Sequence, residues 1–165
     1  MSSAKQSLSH QSPSGMPDAS RYNFGIAVAE WNREITRSLE NAAVSFLKKS
    51  GATQENISVI TVPGSFELTA GAVLLAEQKN FDAIICLGCV IQGETRHFEF
   101  ICQAVAQGLT EVGIRYHIPV IFGVLTTDNQ EQAVDRAGGK FGNKGEEAAA
   151  TAIKMAELFN KNSAS

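Results

Sequence analysis

The chain has 165 residues, 44% of them hydrophobic, and its 14 basic and 17 acidic side chains leave a formal charge of −3. That length and apolar content suit one domain with a sizeable core, and the absence of a basic block argues against a nucleic-acid partner. No apolar run is long enough to span a membrane or resembles the core of a secretory signal, so a soluble, cytoplasmic protein is expected.

Residues 1–20 are rich in Ser with scattered Pro and Gly and lack periodicity, which predicts a disordered tail ahead of a single domain over 21–160, with a disordered C-terminus over 161–165. FGIAVA, from Phe24, reads as a buried strand. It is followed by Glu30-Trp31-Asn32 and a helix with Ile35, Leu39, Ala42, Ala43, Phe46 and Leu47 on one face, closed by Gly51. ISVITV, Ile57 to Val62, predicts a second strand, broken by Pro63-Gly64-Ser65. The next helix shows Phe66, Ala70, Val73 and Leu74 as an apolar face, with Glu67 in its first turn, where a carboxylate suits the helix dipole. AIICLGCVI is an almost unbroken apolar run of the kind a parallel sheet covered on both faces requires. Gly93 ends it, Glu94, Thr95, Arg96 and His97 follow, and Phe98, Ile101, Cys102, Val105, Leu109 and Val112 recur at helical spacing. PVIFGVL predicts a fourth strand, Thr126-Thr127-Asp128 a capping turn, and Ala133 and Val134 a helix. A Gly-rich basic loop, GGKFGNKG, then leads to a last helix over roughly Glu146 to Phe159. Four apolar strands alternating with helices predict a three-layer α/β/α domain on a four-stranded parallel sheet, in flavodoxin-like order.

In such a sheet ligands bind beyond the carboxyl ends of the strands, where helix N-termini offer free N–H groups to anions. Trp31-Asn32, Ser65-Phe66-Glu67, Gly93 to His97 and Thr126-Thr127 all follow strands and are expected on that one edge. Singly, each has a plainer reading. His97 suits a solvated helix start, Trp31 a core or interface, Glu67 a dipole-complementing position, and Arg136, Lys140 and Lys144 a solvated basic face. Their joint placement favours a site, because core packing has no reason to concentrate them there.

Cys86 and Cys89 form a CxxC, but their odd offset within a strand sends them to opposite faces, so buried hydrophobes are expected rather than a redox or metal pair. GCVIQGET has the glycine spacing of a P-loop but places Glu94 where Lys is required, and FGIAVAEWN lacks the GxGxxG of a dinucleotide fold. A smaller anion, held by the N–H groups of Glu94 and Thr95 and by a guanidinium such as that of Arg136, fits better. The residues show no metal cluster and no cofactor signature. They suit acid–base chemistry on a phosphorylated small molecule meeting a planar partner, or a flavin or pterin binder without turnover.

The segments EWNREIT, VPGSFELTAGA, LGCVIQGETRHFEFI, PVIFGVLTTDNQEQAVDRAG and GNKGEEAA, in this order, closely resemble the lumazine synthase family. The resemblance implies condensation of two small-molecule substrates, 5-amino-6-(D-ribitylamino)uracil and 3,4-dihydroxy-2-butanone 4-phosphate, to 6,7-dimethyl-8-ribityllumazine, with phosphate and water released and no cofactor. The alternative is a non-catalytic lumazine or flavin binder on the same fold. Residue by residue, the resemblance places the pyrimidine ring on Trp31, beside Asn32, and the ribityl chain and pyrimidine along Ser65, Phe66 and Glu67. Cys89, Val90 and Ile91 line the pyrimidine pocket. Gly93, Glu94, Thr95 and Arg136 match the phosphate site, and His97 the proposed general acid–base residue. Phe122 matches an aromatic that reaches the pyrimidine from a neighbouring subunit, and Lys144 is placed with the ribityl contacts. The resemblance also implies a homopentamer assembling to an icosahedral 60-mer.

Overall fold

Four of the apolar runs pair side by side. In the computed structural model, which describes residues 12–78 and 80–163, β1 (Phe24–Ala29), β2 (Ile57–Val62), β3 (Ala83–Ile91) and β4 (Val120–Thr127) form one sheet in the order β2-β1-β3-β4. All three pairings are parallel, from Phe24↔Ile57 and Phe24↔Ala83 to Ile84↔Val120. The helices α1 (Arg33–Lys49), α2 (Leu68–Glu77), α3 (His97–Tyr116), α4 (Gln130–Asp135) and α5 (Lys144–Ser163) flank it, giving the expected three layers.

Period-two alternation splits the core between the two faces. Phe24, Ile26, Val28, Ile85, Leu87 and Cys89 face α1 and α5 together with Leu39, Phe46, Leu47 and Ile153. Ala27, Ala29, Ile84, Cys86 and Val124 face α2 and α3 together with Leu68, Leu75, Val105 and Leu109. The two cysteines of the CxxC therefore lie on opposite sides of the sheet, as their odd offset requires. Burial alone pushes the Cys86 thiol up to about 12 and that of Cys89 up to about 11.

Several elements depart from the sequence expectation. In α2 the face against the sheet is Leu68, Gly71, Ala72, Leu75 and Ala76, whereas Phe66 and Leu74 of the expected apolar face are 56% and 59% exposed. This helix is apolar nearly all round, so periodicity offers two faces and cannot say which one meets the sheet. The cap of α4 is Asn129, whose side chain accepts from the Gln132 N–H, rather than the Thr126-Thr127-Asp128 turn. The basic loop folds into a small antiparallel ribbon, β5 (Ala137–Gly139) with β6 (Gly142–Asn143). Asn143 then accepts from the Gly145 N–H at 2.8 Å to open α5. Only glycine fits at 145, because a Cβ there would lie 2.0 Å from the Leu39 carbonyl oxygen of α1.

Of the expected N-terminal tail, residues 1–11 lie outside the described residues. Pro13–Gly15 and Ala19–Arg21 form single 3-10 turns, and Ala19 is fully buried in the core facing α1. Tyr22, packed edge-on against Phe24, donates its hydroxyl to the Glu157 carboxylate of α5. At the other end α5 continues to Ser163, while residues 164–165 are outside the described set.

Candidate active site

The strand order reverses between β1 and β3, so their crossovers leave in opposite directions and open a crevice at the carboxyl edge. A cleft of about 970 Å³ lies there, lined by Trp31 and Asn32 after β1, Pro63 to Glu67 after β2, Cys89 to Ile91 of β3, and Gly93, Thr95 and His97 before and at the start of α3. Phe98, Phe100 and Ile101 of α3 complete an apolar wall. Its volume is within the range that takes a small organic ligand.

Each wall has a local cause. Trp31 is 72% exposed, so its ring is offered to the cleft rather than packed in the core. Its backbone is held instead: the Glu30 and Trp31 N–H groups donate to the carbonyls of Val62 and Pro63 at 2.8 and 3.1 Å, extending the β1–β2 ladder past the strand ends. Asn32 stands in the left-handed region (φ 59°) and donates its side-chain N–H to the Cys89 carbonyl at 3.0 Å. The Ser65 turn leans on β3 so closely that a Cβ at Gly88 would lie 2.6 Å from Ser65 Oγ. Ser65 is buried, and its hydroxyl has no hydrogen-bond partner. Glu67 is half-buried at the start of α2, with its carboxylate over Gly64 and lining the cleft.

Thr95 and His97 stand at the entrance. The His97 N–H donates to the Thr95 hydroxyl at 3.4 Å, and the exposed imidazole lines the cleft as the first residue of α3. Glu94 is exposed and outside the cleft lining, so the anion expected on its N–H would have to bind at the rim. Thr126 and Thr127 do not join the site: Thr127 is buried and gives its hydroxyl to the Asn129 carbonyl, which ties β4 to α4.

Three expected residues also lie elsewhere on the chain. Phe122, in the middle of edge strand β4 and 38% exposed, lines a separate hollow of about 210 Å³ with Lys144, Glu147, Ala148 and Thr151 of α5. Arg136 stands next to this hollow through Glu147. Its two terminal nitrogens donate to Glu147 Oε1 at 3.0 Å and to the Phe141 carbonyl at 2.9 Å, while Lys144 Nζ donates to Glu147 Oε2 at 3.1 Å. Within one chain the expected site residues thus fall into two separate groups.

The family model of 6,7-dimethyl-8-ribityllumazine synthase matches residues 21–160. The chain belongs to this family. It is similar to the 6,7-dimethyl-8-ribityllumazine synthases of Cytophaga hutchinsonii, 61% identical over 155 residues, and of Parabacteroides distasonis, 56% identical over 155 residues. In both cases the match covers 94% of this chain and 97% of the relative. A third relative, the enzyme of Bacteroides fragilis, is 57% identical over 135 residues, covering 82% of this chain and 94% of its own length.

Among the described residues of this lumazine synthase family member, no group of three or more His, Cys, Asp or Glu side chains is arranged to hold a metal ion, and no helix is long and apolar enough to cross a membrane. Sequence reasoning missed Glu147. Its position in the first turn of α5 reads as another dipole-complementing carboxylate, and only the fold shows it 5% exposed between a guanidinium and an ammonium. The Lys144-x-x-Glu147 spacing was the one available signal.

Proposed function

We propose that the chain condenses 5-amino-6-(D-ribitylamino)uracil with 3,4-dihydroxy-2-butanone 4-phosphate to 6,7-dimethyl-8-ribityllumazine, releasing phosphate and water. The observation that carries this reading is one cleft holding an aromatic platform, a strand edge, a carboxylate and an imidazole together, in a chain 61% identical to a relative of that name. The pyrimidine stacks on Trp31 and meets the backbone edge of Cys89 to Ile91, and the Glu67 carboxylate accepts from ribityl hydroxyls. The phosphate takes the rim at Gly93, Glu94 and Thr95, where the N-terminus of α3 favours an anion.

The chemistry consists of imine formation between the pyrimidine amine and the ketone, loss of phosphate, tautomerisation, and ring closure with loss of water. Each step moves a proton, and the His97 imidazole at the entrance is placed to give and take it. Holding two mutually reactive substrates in one geometry supplies most of the acceleration. His97→Ala therefore slows the reaction without abolishing it.

The second half-site, Phe122, Arg136 and Lys144, acts on a neighbouring copy's cleft, so the complete site forms in a homo-oligomer, a pentamer that assembles further to a 60-mer shell. What supports this is the location of these residues outside their own chain's cleft, and the exposed Leu74 and Ile114, which lie outside that cleft and which a neighbouring copy would cover. A cytoplasmic setting accords with three unpaired cysteines. The test mixes purified protein with both substrates and follows lumazine absorbance and fluorescence against a no-protein blank. A rate well above the blank is expected. A rate equal to the blank, with lumazine or flavin still bound, would replace the enzyme with a binder.

A further inference from the structure

We propose that Asn32 is a positioning residue, a clamp that fixes the Trp31 ring relative to the β3 edge and so sets the slot into which the planar substrate slides. The inference rests on the pyrimidine site proposed above and gives Asn32 a task other than direct contact. It starts from the backbone. Asn32 has φ 59° and ψ 46°, and among the described residues only it and His117 are non-glycine residues at positive φ. Glycine adopts this conformation without penalty, so the backbone alone gives no reason for a side chain here.

The side chain has its own task. The ladder between β1 and β3 ends at Val28↔Leu87, while β3 continues to Ile91 paired only with β4. Above that ladder end the Cys89 carbonyl faces the crevice side, and the Asn32 amide donates to it at 3.0 Å. That bond adds one tie beyond the ladder end, joining the segment after β1 to β3 where the strand order reverses. It also complements the Trp31 N–H bond to Pro63, so the Trp31-Asn32 pair is strung between the end of β2 and the end of β3. Asn32 then starts α1, its carbonyl accepting from the N–H groups of Ile35 and Thr36 at 2.9 and 3.1 Å. The Trp31 ring, 72% exposed, has little packing to hold it. Its place in the cleft it shares with Cys89 to Ile91 is therefore set by these tethers, and the Asn32 amide is the one that reaches β3.

Two substitutions in the full-length protein separate backbone from side chain. Asn32→Gly keeps the left-handed conformation and deletes the bond; Asn32→Asp keeps the shape but faces a carboxylate to the carbonyl. Trp31 is the chain's only tryptophan, so its fluorescence anisotropy and its quenching by acrylamide report the platform directly in the unliganded protein. Both variants are expected to lower the anisotropy and to raise KM for the ribitylaminouracil about fivefold or more, with a smaller change in kcat and in KM for the butanone phosphate. An Asn32→Gly protein with native anisotropy and native KM would overturn the proposal, leaving only a backbone requirement. A raised KM with unchanged Trp31 anisotropy would overturn it too, in favour of direct contact with substrate. Should the unmodified protein show no synthase activity, the functional reading fails, and the anisotropy of the two variants still decides the clamp.

Discussion

Glu147→Gln tests whether Arg136, Lys144 and Glu147 form a pre-set charge cluster. The Glu147 side chain is 7% exposed and accepts from Arg136 at 3.0 Å and Lys144 at 3.1 Å, whose side chains are 16% and 28% exposed. A net hydrogen bond to a charged group is worth about 1.5–3 kcal/mol, so these two bonds set a scale of about 3–6 kcal/mol. The real loss is smaller. Glutamine keeps one acceptor oxygen, Arg136 keeps its bond to the Phe141 carbonyl, and both cations recover water at their exposed ends. A destabilisation of about 2 kcal/mol is expected, which for a chain of this size lowers Tm by about 4–8 °C. The assay is a thermal melt at fixed protein concentration, since association shifts Tm by mass action. The double variant Arg136→Gln, Glu147→Gln should lose less than the two single losses added together, because each single change already breaks the shared bond. A Glu147→Gln melt within 1 °C of native, or strictly additive losses, would refute the cluster.

Three further outcomes are expected. Ser65→Ala removes a buried hydroxyl that has no partner, so the unliganded protein should gain about 1 kcal/mol; a lower Tm would show the hydroxyl to be paired. Iodoacetamide at pH 8 should leave Cys86 and Cys89 unmodified in the native protein, since burial pushes their thiols up to about 11–12, with Cys102 alkylated first by mass spectrometry. The Tyr22 hydroxyl is pushed up to about 12 from 10.0, first by its bond to Glu157 and then by burial. A raised pKa stabilises the fold fully below about pH 10 and loses that contribution as pH rises toward about 12, so native and Tyr22→Phe melting curves should converge over that window. Parallel curves would exclude the bond.

The strands and the edge on which they end were legible in the sequence, and the packing around that edge was less so. AIICLGCVI read as a strand buried on both faces, and the glycine and polar turn after it as leaving at the carboxyl edge, which is where the structure has the cleft with His97 at its entrance. The crevice position needed only the strand order. What stayed hidden was anything set by a three-dimensional partner. The apolar residues of α2 fill two faces, and only packing shows Leu68, Ala72 and Leu75 on the sheet with Phe66 and Leu74 left outside. Asn129 rather than the Thr-Thr-Asp turn caps the helix, because the Thr127 hydroxyl donates to the Asn129 carbonyl instead of accepting from α4. Arg136 read as a free guanidinium because no local pattern marks Glu147 as buried beneath it. The same blindness grouped Arg136 and Lys144 with the cleft residues, since periodicity puts residues on edges and faces but does not say which hollow they line.

The most direct measurement of the central claim, a lumazine-forming site shared between copies, is subunit complementation. His97→Ala leaves Arg136 intact and Arg136→Gln leaves His97 intact, so neither homo-oligomer contains a complete site. After the two variants are unfolded, mixed in equal amounts and refolded together, about one in four subunit contacts should join an intact His97 cleft to an intact Arg136 half-site. The account predicts lumazine formation clearly above the mean of the two separately refolded variants. A mixture that performs at that mean, while native protein treated in the same way regains its rate, would contradict the shared site and return Arg136 to the solvated basic face.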